Sequence, residues 1–346
     1  MTIQKTTSTM AILSGILLSG LLGLSLDEAE AQSNYRLKTL GTGSSPYVVS
    51  TVFADIVNNN TDDRVQVDAT GSGPEHAVTT ARGVTQFTSS FSPGIAALMR
   101  DGEGMFTSLP QASDLYGNMR MLFSYPMGLY HGAVFADSGI ETYEDLKGKR
   151  VFTGPPTGQA RKTVEPLIEA ITGYKAGEDY EVVNISWDAA SQSFQDGNLD
   201  AYFNPTQAPS PILTQIAMAN KIRFLSIPEV EEGELSAVLG RPGYRVVELP
   251  ADIYGENQVN TEPARSIGVT IGMATNKDMP EDAIYTMTKA FWENLEEKQE
   301  ALPQMRNLSL DTVFQDMNTL LHPGAIRYYK EVGLDIPENL IPPEAQ

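Results

Sequence analysis

The sequence contains no cysteine and only three histidines in 346 residues. The absence of cysteine excludes disulfides, thiolate nucleophiles and cysteine-ligated metals. His76, His131 and His322 are not spaced as a metal-binding pair, and no nucleophile elbow, phosphate-binding loop or zinc-protease helix motif is present. Gly41-Thr42-Gly43 lacks the third glycine of a dinucleotide-binding loop. We therefore expect no catalytic residues, no metal and no cofactor, and a protein that is not an enzyme.

Positive charge is also scarce. Lysine and arginine total 24 against 44 aspartate and glutamate residues, which gives a formal net charge of −20. A surface this acidic repels nucleic acid and anionic lipid, so neither is an expected partner. Any anionic ligand must be held by local dipoles and individual arginines against an unfavourable overall field.

Long apolar runs are limited to the N-terminus, from Met10 to Leu26. Lys5 precedes this stretch, and Ala29-Glu30-Ala31 follows it with the small-x-small pattern that a signal peptidase recognises. The alternative is a membrane anchor, which is weakened because the stretch is short and contains several glycines and serines. We predict a signal peptide over residues 1–31, cleaved after Ala31, and an exported mature chain.

The remaining composition is typical of a globular protein, with 41% hydrophobic and 20% charged residues. About 315 residues remain after the predicted cleavage, which is more than one ordinary hydrophobic core holds. Strand and helix patterns alternate along this chain, and that order implies a mainly parallel sheet flanked by helices. We predict an α/β protein of two such lobes joined by two hinge crossovers, with residues 32–135 and 265–346 in lobe 1 and residues 136–264 in lobe 2.

Three strand–loop–helix units of the predicted lobe 1 contain small polar loops. Residues 35–40, 64–69 and 86–91 have strand patterns, and each is followed by serine or threonine with glycine or proline at a helix start. The carboxyl ends of parallel strands meet at one edge of a sheet, where ligands bind. Unpaired amides at helix starts favour anions, and hydroxyls add neutral hydrogen bonds. The residues of lobe 1 that we predict to contact a ligand are Thr42, Ser44, Ser45, Tyr47, Ser72 and Ser92.

The same pattern recurs in the predicted lobe 2, after strands at residues 150–153 and 199–203. Arg161 lies near a helix start, where a cation opposes the helix dipole, and a clamp on a ligand carboxylate and an ordinary ion-paired arginine remain equal alternatives. Each loop alone could be no more than a helix cap, but their recurrence at successive strand ends favours a binding site. The residues of lobe 2 that we predict to contact a ligand are Thr157, Gln159, Arg161, Asn204 and Gln207.

Other stretches carry expectations about local structure. Residues 119–136 are predicted to be paired strands that cross between the lobes, and Ser266–Ala274 a strand that returns to lobe 1. The C-terminal part has helical apolar spacing over Pro280–Gln299, Leu310–Asn318 and Pro323–Val332. We expect three helices there.

A C-terminal run and several shorter motifs stand in a fixed order along the chain. The run is Leu321-His322-Pro323-Gly324-Ala325-Ile326-Arg327-Tyr328-Tyr329-Lys330-Glu331, and the shorter motifs include Leu40-Gly41-Thr42-Gly43, Asp137-Ser138-Gly139-Ile140 and Gly154-Pro155-Pro156. Together they resemble the solute receptors of tripartite ATP-independent periplasmic (TRAP) transporters of the TAXI type. The C-terminal run is similar to that family's signature almost letter for letter, and the resemblance covers nearly the whole mature chain.

The resemblance implies a type II-like periplasmic-binding-protein fold with a hinged cleft, an integral-membrane TRAP permease as partner, and a ligand such as glutamate, glutamine or 2-oxoglutarate. Three departures from the family pattern bear on the ligand. They are the short loop Ser44-Ser45-Pro46-Tyr47, Ser92-Pro93-Gly94 in place of a common Gln-Ser-Asp, and Gly158-Gln159-Ala160 in place of the usual Ser-Gly-Thr. Fold and role do not depend on these loops, whereas the identity of the ligand does.

These observations predict a monomeric periplasmic solute-binding protein that closes on a small polar or anionic organic solute and delivers it to a TRAP permease. A solute that bridges both lobes binds the closed state better and shifts the population toward it. A ligand-sensing protein that signals to a membrane partner is the alternative. An enzyme on a similar bilobal fold is disfavoured because the sequence shows no nucleophile with its base.

Overall fold

The computed structural model describes residues 33–42, 44–156, 159–229, 233–302 and 305–346. Within these ranges the chain forms ten β-strands and eleven α-helices. The strands are β1 (Asn34–Lys38), β2 (Arg64–Asp68), β3 (Phe87–Phe91), β4 (Met119–Phe135), β5 (Arg150–Phe152), β6 (Glu181–Val182), β7 (Ala201–Thr206), β8 (Ile222–Phe224), β9 (Tyr244–Leu249) and β10 (Ala264–Asn276). The helices are α1 (Ser45–Asn60), α2 (Gly73–Ala81), α3 (Pro93–Asp101), α4 (Ala112–Gly117), α5 (Gln159–Thr172), α6 (Trp187–Gln195), α7 (Pro211–Ala219), α8 (Glu234–Leu239), α9 (Glu281–Glu293), α10 (Leu295–Ala301) and α11 (Pro323–Glu331). The predicted signal peptide, residues 1–31, and the predicted ligand residue Thr157 lie outside the described residues.

The ten strands belong to one sheet, in the order β2-β1-β3-β10-β4-β7-β5-β6, with β8 beside β4 and β9 beside β10. Parallel pairs join β1 to β2 and β3, and β5 to β6 and β7. The other strand pairs of the described chain include β4 or β10 and are antiparallel. The predicted α/β class is confirmed. The sheet is mixed because its two long strands traverse it in opposite directions.

The two long strands connect the two ends of the sheet. β4 is one continuous strand of 17 residues, where the sequence pattern suggested paired strands, and β10 has 13 residues. Pro126 and Gly128 in the middle of β4 resemble a turn in the sequence, but both are paired with β10. The ends of the strands beyond this pairing lie beside β7, β8 and β9. Two crossovers therefore connect the strands at one end of the sheet with those at the other.

Buried apolar side chains form separate clusters at the two ends of the sheet. The largest draws its buried members from residues 37–125 and 271–340 and includes Phe53, Phe123 and Phe291, whose rings contact one another. Two other clusters draw theirs from residues 130–269. We call the largest cluster the first core and the two other clusters the second cores. Residues 33–346 form one unit by their contacts, and the division into two lobes remains a prediction.

Helix starts follow the capping signals of the sequence. Proline occupies the first turn of α1, α2, α3, α7 and α11, where no N–H is needed. The predicted helix Pro280–Gln299 is two helices, because Asn294 ends α9 before α10 begins. The short helices α4 and α8 have no strong capping signal and are not predicted by the sequence. No helix of the described ranges has both the length and the apolar composition needed to cross a bilayer.

The predicted helix Leu310–Asn318 is wrong, because only Leu310–Thr312 forms a short 3-10 turn there. Two carbonyl groups of this segment bond to β4, and the carbonyls of Leu310, Thr312 and Phe314 accept from the N–H group three residues on, as in turns. The backbone N–H of Ser124 donates to the carbonyl of Val313 at 2.9 Å, and the Ser124 hydroxyl lies 2.9 Å from the carbonyls of Val313 and Gln315. Backbone groups satisfied in this way have no need of helical partners.

The C-terminal sequence motif forms α11 and packs it against its neighbours. His322 Nδ1 caps the helix by accepting the backbone N–H of Gly324 at 3.1 Å. Gly324 lies so close to α9 that a Cβ atom added to it would be 2.3 Å from the carbonyl oxygen of Glu281. Tyr329 donates its hydroxyl to the carbonyl of Leu122 on β4 at 2.7 Å. The motif thus has a packing role in the first core.

Candidate functional site

The loops after β1, β2 and β3 point toward the middle of the sheet. These strands are parallel, so their carboxyl ends lie at one edge. Phe91, the last residue of β3, lies opposite Gly272 of β10, which lies opposite Ser124 of β4. From Ser124, β4 continues toward the second cores. The loops that lead into α1, α2 and α3 therefore face the second cores.

At the other end of the sheet, the carboxyl ends of β5 and β7 point toward the first core. β5 and β7 are parallel, and β7 is antiparallel to β4, so that Thr206 at the carboxyl end of β7 lies opposite Leu129. Leu129 is about 17 Å from Ser124 along β4, at 3.4 Å per residue. The two sets of loops therefore approach one level of the sheet. We call it the mid-sheet level and define it by Ser124–Leu129 of β4 and Gly268–Gly272 of β10.

Several predicted ligand residues in the first set of loops have unfilled hydrogen-bonding capacity. Ser44 and Ser92 are used as caps, since their hydroxyls accept the backbone N–H groups of Tyr47 at 3.3 Å and Ile95 at 3.2 Å. Ser72 stands at the same position before α2 but makes no capping bond and is exposed. The side chains with no hydrogen bond to the described residues are those of Thr42, Ser45, Tyr47 and Ser72.

A buried hydroxyl network holds the first of these loops in place. Ser89 on β3 lies 2.7 Å from Ser50 on α1 and 2.9 Å from Thr39 after β1, measured between hydroxyl oxygens. The Ser50 hydroxyl lies 2.8 Å from the carbonyl of Pro46, and Tyr125 donates its hydroxyl to the carbonyl of Ser89 at 2.6 Å. The network fixes the start of α1 against β3. Sequence reasoning missed these residues because single hydroxyls within buried elements form no pattern.

His76 fixes the second loop. Its Nε2 lies 2.9 Å from the carbonyl oxygen of Thr70, and its Nδ1 lies 2.7 Å from the hydroxyl of Ser90 on β3. Because a carbonyl only accepts, Nε2 carries the proton and Nδ1 accepts from Ser90. Burial lowers the pKa of His76 below its ordinary value. The neutral ring therefore connects the loop to β3 through two hydrogen bonds. No group of three potential metal ligands occurs among the described residues, so we assign no metal-binding role to His76.

The guanidinium of Arg161 makes hydrogen bonds to two side chains that follow it within the predicted lobe 2. Its Nε donates to Glu165 Oε1 at 2.6 Å, and its Nη1 donates to Asn184 Oδ1 at 2.6 Å. The carboxylate four residues along α5 offsets the cost of a cation near the helix start. Arg161 and Glu165 also line a cavity of about 550 Å³. The other carboxylates that line this cavity are those of Glu178, Asp179 and Glu181. The structure shows the ion-paired alternative, and contact between Arg161 and a ligand stays a prediction.

The three remaining predicted ligand residues differ in whether their side-chain amides already make hydrogen bonds within the protein. Gln159 begins α5, is exposed, and makes no side-chain hydrogen bond to the described chain. Asn204 donates its amide to a tyrosine hydroxyl of its own strand at 2.9 Å. Gln207 is buried, and it donates to the carbonyl of Pro126 at 2.6 Å and accepts from Asn307 Nδ2 at 3.1 Å. Gln207 therefore connects the end of β7 to β4 and to the C-terminal segment, with its amide oxygen and one of its two N–H groups already bonded.

One arginine at the mid-sheet level is not singled out by the sequence patterns. Arg245 on β9 pairs with Gly268 of β10. Its side chain is 27% exposed, and its Nη1 is 3.8 Å from Asp316 Oδ2, which is too long for a hydrogen bond. Asp316 Oδ2 accepts instead from the hydroxyl of Thr270 at 2.6 Å. The sequence feature that could have identified Arg245 was only that a cation interrupts a strand pattern in an otherwise acidic protein.

Comparison with known protein families matches residues 37–333 to the NMT1-like family. The chain belongs to the NMT1-like family. The matched region begins in β1 and ends just after α11. It therefore includes both long strands and the strand-to-helix junctions described above.

Solved structures of periplasmic solute-binding proteins are similar to this NMT1-like chain over most of their length. The aliphatic sulphonate-binding protein SsuA of Escherichia coli is 14% identical, with 87% of this chain and 84% of SsuA covered and a TM-score of 0.46. The ectoine-binding protein of the TeaABC TRAP transporter of Halomonas elongata is 17% identical, with 86% and 90% covered and a TM-score of 0.38. A TRAP solute-binding protein of Sulfitobacter sp. with bound β-D-galacturonate is 13% identical, with 86% and 94% covered and a TM-score of 0.44. Values this low carry no information about the ligand of this chain.

Proposed function

We propose that this NMT1-like protein is a periplasmic solute-binding protein that captures a small polar or anionic organic solute and delivers it to a membrane permease. The solute is a carboxylate or an amino acid of the glutamate or 2-oxoglutarate kind. The permease is of the TRAP type, and this chain is its TAXI-type receptor. The chain is exported, is cleaved after Ala31 and acts as a monomer. Residues 32–135 with 265–346 form one lobe, and residues 136–264 form the other.

The observation that carries this proposal is the opposition of two sets of strand ends at the mid-sheet level. Each set leads into helix starts, whose first N–H groups lack helical partners and carry partial positive charge. Ser72 and Thr42 add exposed hydroxyls on one side, and Gln159 adds an exposed amide on the other. A solute held between the two sets would receive hydrogen bonds from both. Crevices at the carboxyl ends of strands are the usual ligand sites of open α/β sheets.

Capture by closure also needs a place where the sheet can bend, and β4 has a suitable one. The register between β4 and β10 shifts between Val269 and Thr270, which leaves Met127 without a partner. The next residue, Gly128, has a φ of +143°, and a Cβ atom there would be 2.2 Å from the carbonyl oxygen of Thr206. A bulge beside a conformation that glycine alone tolerates favours bending at this point. A solute that contacts both sides would then stabilise the closed state.

Thermal melting and titration calorimetry of the purified protein test this function. The solutes are C4–C6 dicarboxylates and amino acids, with glutamate, glutamine and 2-oxoglutarate among them. A bound solute at 100 times its Kd adds about 2.7 kcal/mol to the free energy of unfolding, so the melting midpoint should rise. If no solute of the panel raises the midpoint or releases heat, the proposed function is wrong.

Two matched serine variants locate the site. Ser72→Ala removes an exposed hydroxyl that makes no capping bond, and we expect weaker solute binding by about 1 kcal/mol with little change in stability. Ser108→Ala removes an exposed hydroxyl beyond the C-terminal end of α3 and should leave binding unchanged. Equal affinities of the two variants for the same solute would argue against a site at the start of α2.

A further inference from the structure

The guanidinium of Arg245 is a polar group at the mid-sheet level that the proposed function has not yet used. Its Nε atom is buried and has no hydrogen-bond partner among the described residues. Its contact with a charge is the 3.8 Å approach of Asp316, whose oxygen is already bonded by Thr270. A cation that has lost part of its hydration without gaining acceptors is destabilised, and an anion that fills its donors relieves this cost.

Arg245 lies at the same level of the sheet as the carboxyl end of β7. One row across the sheet runs from Arg245 through Gly268 and Leu129 to Thr206, the carboxyl end of β7. Paired residues of neighbouring strands project to the same face, and three strand spacings amount to about 14 Å. Arg245 lies directly over Gly268, since a Cβ added to Gly268 would be in ordinary contact with Arg245 Cγ, at 3.4 Å.

The start of β9 also contacts the first set of loops. Gly243 lies against the ring of Pro93 at the start of α3, since a Cβ added to Gly243 would be 3.0 Å from that ring. Asn318, two residues after Asp316, donates to the carbonyl of Pro93 at 2.9 Å. The segment that carries Asp316 and the strand that carries Arg245 therefore meet at the β3–α3 junction.

We propose that Arg245 binds the anionic end of the solute through two parallel N–H···O hydrogen bonds. This inference rests on the proposed function and narrows it to solutes with an oxyanion group, either a carboxylate or a sulphonate. The planar guanidinium fork matches such groups better than any other side chain does. Asp316 keeps its bond from Thr270 and acts as a weak competitor, which the solute displaces from the arginine.

A neighbouring arginine provides a matched control. Arg265 on β10 is 25% exposed and has a carboxylate oxygen of Glu229 at 3.8 Å. Its Nη1 is buried without a hydrogen-bond partner among the described residues. It pairs with Glu248 and lies about 10 Å along β10 from Gly268, at 3.4 Å per residue. The two arginines have similar exposure, and each has one carboxylate oxygen at 3.8 Å, but they differ in distance from the mid-sheet level.

The experiment compares the wild type with Arg245→Gln and Arg265→Gln by calorimetry. The probes are succinate, 2-oxoglutarate, L-glutamate and ethanesulphonate, with neutral succinamide as a fifth. The wild type should bind at least one anion and not succinamide. Arg245→Gln should weaken that binding by about 10-fold or more, as expected for a lost hydrogen bond to a charged group. Arg265→Gln should change it by less than about 3-fold, and a sulphonate preference would separate the two oxyanion types.

Asp316→Asn gives a readout that a merely structural Arg245 would not give. Removing the competing charge should tighten anion binding several-fold, whereas loss of a structural ion pair would leave it unchanged or weaken it. If Arg245→Gln melts far below the wild type and cannot be titrated, the affinity of Asp316→Asn for the anion still tests whether Arg245 binds it. The inference is overturned if the wild type binds an anion as tightly as Arg245→Gln does, if Asp316→Asn fails to tighten binding, or if only neutral solutes bind. These outcomes leave the proposed function standing, whereas failure of every solute to bind removes both.

Discussion

Replacing Gly324 with alanine should lower the stability of the protein. A Cβ atom at this position would lie 2.3 Å from the carbonyl oxygen of Glu281 and 2.7 Å from the backbone nitrogen of Tyr285. Both are backbone atoms of α9, which cannot rotate away, so α11 must withdraw by about 1 Å to reach an ordinary contact distance. Overpacking of this kind costs about 1–3 kcal/mol. At about 2–4 °C per kcal/mol, a cost near 2 kcal/mol lowers the Tm by about 4–8 °C.

Urea unfolding followed by tryptophan fluorescence measures this change. Trp292 on α9 donates its indole N–H to the hydroxyl of Tyr329 on α11 at 3.2 Å, so its fluorescence reports on the altered contact. Gly117→Ala in α4 is the control, because no atom of the described residues lies within 4 Å of a Cβ atom there. Alanine is favoured over glycine within a helix by about 0.5–1 kcal/mol, so this variant should be as stable as the wild type or slightly more stable. A wild-type unfolding midpoint for Gly324→Ala would refute the close packing of α11 on α9, and with it the packing role of the C-terminal motif.

Three further predictions concern acid, the C-terminus and export. Burial lowers the pKa of His131 and of His322 to about 4, below the ordinary 6.5, so their contribution to stability is complete above pH 6.5 and is lost as the pH falls toward 4. Each ring contributes on the order of 3 kcal/mol, and a urea midpoint that stays constant from pH 7.5 to pH 4.5 would contradict this. Glu344→Gln removes the carboxylate that Arg120, 5% exposed, contacts at 2.6 Å, and should lower the free energy of unfolding by about 2 kcal/mol, whereas the exposed Glu338→Gln should not. Intact-mass measurement of the exported protein should place its N-terminus at Gln32, and a mass that includes residues 1–31 would contradict the predicted cleavage.

Local sequence patterns predict the elements around the candidate site well where their causes are local. The strand Phe87–Phe91 lies within the predicted strand at residues 86–91, and α3 begins at Pro93 as its capping serine indicates. A cap involves a side chain and an N–H group three residues away, so the sequence contains all of its parts. The failed helix Leu310–Asn318 shows the limit, because two of its carbonyl groups bond to Ser124, which is almost two hundred residues earlier in the chain.

Apolar periodicity and helix caps act over a few residues, so the order of most strands and helices, and with it the α/β class, follows from local patterns. Which polar side chains remain free depends on contacts between distant parts of the chain. Gln207 and Arg161 have patterns suited to ligand contact, and the fold brings Asn307 to the one and Asn184 to the other as hydrogen-bond partners. Arg245 has no distinctive pattern, yet its buried Nε at the mid-sheet level has no hydrogen-bond partner among the described residues. A polar side chain is satisfied only when the fold brings a donor or acceptor within about 3 Å of it, and that group is often far away in the sequence.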